Sequence, residues 1–111
     1  MKQRSRKIKG RRLTNFVREK ILKAFPHLRS KDIACADNGL PGPDLILSKV
    51  AKALVPFQWE MKNQQKMKTL YSWHKQASRG AGSLTPVVVC KQNTKDPLVI
   101  IEFKEFLNLI K

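Results

Sequence analysis

Two carboxylates and a lysine stand out for what they could do together. Asp44 follows Pro43 at the head of one apolar run, and Glu60 and Lys62 stand two residues apart in another. Two acids brought together supply oxygen ligands to a hard divalent cation such as Mg²⁺ or Mn²⁺, which keeps several of its waters. The backbone carbonyl of Met61, between the acid and the lysine, could supply a third ligand. Lys62 would then orient or deprotonate an attacking water, or neutralise charge on a pentacovalent phosphate. Such a set suits phosphodiester hydrolysis. The same spacing also arises by chance: an ExK pair on a strand is often a plain ion pair, and Asp after Gly-Pro is often a turn residue.

The elements that must position these residues can be read from the pattern. Gly, Pro, Asn and Asp crowd positions 37–44 and predict a turn, with Asp37 serving turn chemistry there. A strand over 44–47 follows, preceded by a short one over 33–36. Ser48 is placed to cap one or two helical turns through Leu54. Residues 55–61 alternate, with Val55, Phe57, Trp59 and Met61 on one side and Gln58, Glu60 and Lys62 on the other. This predicts a strand that shows Glu60 and Lys62 on one face.

The flanking stretches complete the pattern. Leu13, Phe16, Val17, Ile21, Ala24 and Phe25 recur at helical spacing, and Pro26 stops the helix. Glu19 lies opposite that stripe, four residues before Lys23, as a solvated ion pair would. A second helix is expected over 66–78, with Met67, Leu70, Tyr71, His74 and Ala77 on its apolar face. The β-branched run 85–90 reads as a strand buried on both faces. A turn over 92–97, a strand over 98–103 and a closing helix over 105–111 follow. The expected architecture is α/β: a single domain with a mixed central β-sheet flanked by helices, spanning 13–111 behind a basic flexible arm over 1–12.

The chain has 111 residues, enough for one modest core. It carries 23 Lys and Arg against 8 Asp and Glu, a formal charge of +15. A charge of that size repels itself in a compact state and implies a polyanionic partner, nucleic acid first. Lys2, Arg4, Arg6, Lys7, Lys9, Arg11 and Arg12 crowd the N-terminal arm with no acid among them. Lys66, Lys68, Lys75 and Arg79, with Gln76, continue the basic character beyond the ExK pair. Such residues give affinity for phosphates without reading sequence. Cys35 and Cys90 read as small buried thiols rather than a disulfide framework. No apolar run suits a secretion signal or a membrane span, so no membrane partner and a cytoplasmic location are expected.

Other chemistries have weaker support. His27 and His74 lack partners at zinc spacing, and Ser48 and Ser83 lack a nucleophile-elbow context. Trp59 and Trp73 could stack on bases, although packing in amphipathic elements accounts for both. The rival from another class is a basic nucleic-acid-binding protein without catalysis, which the charge suits equally. The acidic pair discriminates: a pure binder gains nothing from two carboxylates converging on a phosphate-binding surface.

The segments GPDLILS, PFQWEMKNQQ, WHKQA, TPVVVCKQN and PLVIIEFKEFLNLI together resemble the PD-(D/E)xK nuclease superfamily. Within it they look most like the small phage-type endonucleases of the Holliday-junction-resolvase-like branch. Pro43–Asp44 and Glu60–Lys62 match the motif, and Gln76–Ala77 is similar to the family pattern in the helix after the ExK strand. The resemblance implies a restriction-endonuclease-like core and a Mg²⁺- or Mn²⁺-dependent DNA endonuclease, with no other small-molecule cofactor. Its catalytic core would be Asp44, Glu60 and Lys62. It also implies a homodimer acting on branched DNA in phage recombination, replication or packaging, in the host cytoplasm. Many members of the resembled family carry a further Glu early on the first helix, where this chain has Leu13 and Thr14.

Overall fold

The computed structural model describes residues 3–37 and 41–111, with side chains described from Arg11 onward. In chain order the elements are α1 (Gln3–Ala24), a 3₁₀ turn (Ser30–Asp32), β1 (Ile33–Cys35), β2 (Leu45–Leu47), α2 (Lys49–Leu54), α3 (Lys68–Ser78), β3 (Val87–Cys90), β4 (Leu98–Ile101) and α4 (Phe103–Ile110). The class is mixed α/β. The strands form two separate two-stranded antiparallel sheets, β1–β2 and β3–β4, in place of the single mixed sheet expected. The chain divides into two compact units, the first reaching Asn63 and the second covering Gln64–Ile110.

In the first unit, α1 and α2 pack on the β1–β2 pair. Ile33 faces Leu47, Ala34 faces Ile46 and Cys35 faces Leu45. The buried face of α1 is Thr14, Val17 and Ile21, which joins Phe25, just past the helix end, and Leu28, Ile33, Leu45, Ala51 and Val55 in the core. Spacings of three and four keep those α1 residues on one stripe. Phe16, expected on that stripe, is instead exposed, and its ring lies 5.4 Å from the Lys20 ammonium. The helix starts ten residues before Leu13, so most of the basic arm, from Gln3, is helical.

Side-chain hydrogen bonds fasten this unit at its bends. Arg18 donates from α1 to the carbonyls of Ser30 and Ile33. Asp32 accepts from the Arg29 N–H and from the Ser48 hydroxyl, both at 2.7 Å. Ser48 in turn accepts the Ala51 N–H, which makes it the N-cap of α2 as its position predicts.

In the second unit, α3 packs across β3 and β4. Val87 pairs with Ile101, Val88 with Ile100, Val89 with Val99 and Cys90 with Leu98. The double-sided burial expected for this strand is not what forms. Val87, Val89 and Val99 are exposed, because α3 covers one face of the hairpin and the other stays open. Cys35 and Cys90 are both free and half-buried rather than buried.

Candidate metal and phosphate site

Asp44 is delivered by a tight turn. Gly42 adopts φ 119°, a conformation that side-chain-bearing residues avoid, and Pro43 leads directly into Asp44. The backbone of Asp44 is then bonded on both sides. Its carbonyl accepts from Ala36 at 3.0 Å, extending the β1–β2 pairing by one residue, and its N–H donates to the Trp59 carbonyl at 2.9 Å.

The stretch 55–61 forms no strand among the described residues, contrary to expectation. Pro56 gives it no donor at its start, and a proline there suits an edge better than a ladder. It still runs extended beside Asp44. Trp59 and Met61, two residues apart, both turn a backbone group toward Asp44, which is the alternation of an extended chain. Val55 is fully buried, Trp59 and Met61 are half-buried, and Gln58, Glu60 and Lys62 are exposed. Phe57 departs from the alternation, being exposed at 38%, and meets Trp59 edge-to-face with centroids 6.0 Å apart.

Two contacts define the site. The Met61 N–H donates to Asp44 Oδ2 at 2.6 Å. The Lys62 ammonium lies 3.3 Å from Glu60 Oε1, with both side chains open to solvent. The first is a charge-assisted bond across seventeen positions of sequence. It anchors the Asp44 carboxylate on the peptide between Glu60 and Lys62. The second places acid and lysine on one face, as the spacing of two requires. No family model, curated protein or solved structure matches the chain.

The donor set suits a hard cation. Asp44 commits Oδ2 to the Met61 amide and has Oδ1 to offer, and Glu60 is exposed. Among the described residues no three His, Cys, Asp or Glu side chains gather, so the candidate ligands are two carboxylates and backbone. A Mg²⁺ site of one or two carboxylates completed by waters is common. Glu19 is exposed on α1 and forms no ion pair with Lys23 among the described residues. Thr14 is buried on α1.

The phosphate-binding candidates fall in two groups. Arg11 and Arg12 are exposed on α1, and Lys9 lies one turn earlier on the same helix. Lys66, Lys68, Lys75, Gln76 and Arg79 are exposed on and around α3. Arg4, Arg6 and Lys7 fall within α1, whereas Lys2 lies outside the described residues. The first turn of α1 holds no acid, so basic residues sit at the positive end of the helix dipole. An anion bound there would relieve that repulsion.

Sequence reasoning missed several residues. Arg18 and Asp32 brace the elements that carry Asp44, and neither stands in a motif. Trp73, expected to pack, is 40% exposed on α3.

Proposed function

We propose that this chain is a Mg²⁺- or Mn²⁺-dependent DNA endonuclease acting on branched or structured DNA, with Asp44, Glu60 and Lys62 at its catalytic centre. The reading belongs to the PD-(D/E)xK type, with a homodimer as its working form. One observation carries it. The Met61 N–H holds the Asp44 carboxylate at 2.6 Å, joining the PD and ExK segments through their own residues. A chain that merely bound phosphates would gain nothing from that bond, since it directs an acid toward the lysine-bearing segment.

Asp44 and Glu60 would hold the cation, with the Met61 carbonyl as a further oxygen. A bound Mg²⁺ or Mn²⁺ would supply charge neutralisation at the scissile phosphate and acidify a water. The Met61 amide fixes the rotamer of Asp44, so its free oxygen is oriented beforehand. Lys62, beside Glu60, is placed to orient a water or to balance negative charge developing on the phosphate. The basic residues of α1 and α3 would grip the backbone of the substrate without reading its sequence.

The test is cleavage of a labelled four-way junction and a matched linear duplex, with Mg²⁺, Mn²⁺ or EDTA. Asp44→Asn, Glu60→Gln and Lys62→Ala are compared with the wild type. Paired, metal-dependent cuts on the junction that vanish in all three variants are expected. Salt-sensitive binding without cutting under either metal, unchanged in the variants, would leave a DNA-binding protein and sink the catalytic reading.

A further inference from the structure

We infer that the second unit holds a pocket for one unstacked nucleobase, between α3 and the turn from β4 into α4. The inference rests on the nucleic-acid half of the reading above and not on cleavage. A hollow of 540 Å³ opens there, lined by Leu70, Tyr71 and His74 on α3 and by Ile101 and Glu102 opposite. That volume lies within the roughly 300–1,000 Å³ of small-molecule sites.

Two residues, Tyr71 and Glu102, give the hollow its chemistry. Tyr71 lines the hollow and is 73% exposed, so its aromatic ring is open to solvent. Such rings are stacking platforms for bases freed from a duplex. His74 lines the wall with its ring, and its Nε2 is closed to solvent and so is not presented to the hollow. Glu102 is an acceptor only, which suits the exocyclic amine of cytosine or adenine over the carbonyls of thymine.

The surroundings favour a nucleotide over an apolar ligand. Lys68 and Lys75 lie on the same helix, Lys66 and Arg79 flank it, and all four are exposed. No acid occurs between Met61 and Lys95. A strand whose phosphates follow these cations would present its bases to Tyr71. Branched DNA supplies such unstacked bases at its junctions and ends.

The experiment compares binding of three labelled single strands in EDTA, by fluorescence anisotropy. They are oligodeoxycytidylate, oligothymidylate and an abasic strand, each about 12 nucleotides long, within the usual site sizes. The abasic strand has the same phosphates and no bases. The full chain is expected to bind deoxycytidylate about tenfold more tightly than the abasic strand. Tyr71→Ala should bring that ratio close to one without changing abasic affinity, and Tyr71→Phe should keep it. Glu102→Gln should narrow the gap between cytidylate and thymidylate. Lys68→Ala should weaken all three strands alike. Equal wild-type affinity for cytidylate and abasic strands, or a ratio untouched by Tyr71→Ala, would overturn the pocket. A base preference that stands while no metal supports cleavage would keep the pocket and remove the catalytic reading.

Discussion

The two units use similar parts to different ends. Each has a two-stranded antiparallel sheet with helix packed on it. In the first, Ile21, Ile33 and Val55 are completely buried, and side-chain hydrogen bonds from Arg18, Asp32 and Ser48 tie its turns. In the second, Leu107 is the buried apolar residue among those described, and Val87, Val89, Leu98 and Val99 are exposed. The difference follows from the depth of the covered face. Helices bury Ile33 and Leu45 of the short first sheet while Ala34 and Ile46 stay open on its other face, whereas no strand residue of the longer hairpin is buried beneath α3. A carboxylate that must hold a cation in fixed geometry benefits from the enclosed setting. A surface that meets a flexible strand can be open and aromatic.

The largest test of this contrast is in the cores. Ile33→Ala should destabilise the protein by about 2–5 kcal/mol, through lost burial and the cavity left behind. Val89→Ala, on the open face, should stay within about 0.5 kcal/mol. Urea unfolding followed by circular dichroism compares them, and equal effects would remove the distinction between the units.

Acid should loosen the bracing of the first unit. The Arg29 N–H and the Ser48 hydroxyl hold the Asp32 carboxyl below its ordinary value, burial pushes it up, and the charges of Lys31 and Arg29 reinforce the lowering. A carboxyl with a lowered folded value stabilises the fold above its unfolded value. That contribution disappears as pH falls from the ordinary value near 3.8 through the lowered one. Urea midpoints measured across this range should fall faster for the wild type than for Asp32→Asn; parallel curves would contradict the assignment.

Smaller again is the cap. Ser48→Ala removes the acceptor for the Ala51 N–H and the donor to Asp32, and should cost about 1 kcal/mol. Smallest is Lys62→Ala. Its ion pair with Glu60 is exposed, so stability should change by less than about 1 kcal/mol while cleavage is lost. A large loss of stability there would make the pair structural.

Much of the candidate site's geometry was legible because its logic is local. A spacing of two put Glu60 and Lys62 on one face, and the Gly42–Pro43 turn announced Asp44. The cap at Ser48 followed from residue type. Other features depend on what lies across the fold. The run of valines at 87–89 has no period, so it could not say that one face would stay open. Thr14 and Phe16 exchange the places that hydrophobicity alone assigns them. Pro56 was the available sign that the ExK stretch would run beside Asp44 without joining a ladder. The helical start at Gln3 was hidden because the first turns lack acids and caps. Nothing in the pattern separated one mixed sheet from two small ones, since strand partners are chosen by long-range contacts.

In the proposed centre, Asp44 and Glu60 hold a cation beside the Met61 amide. Titrating Mn²⁺ into ¹⁵N-labelled protein and recording amide spectra tests this directly, because the paramagnetic ion broadens signals near it. The amides of Asp44, Glu60, Met61 and Lys62 should broaden first in the wild type and should remain sharp in Asp44→Asn at the same Mn²⁺ concentration. Broadening that begins elsewhere, or that is unchanged in Asp44→Asn, would contradict the site.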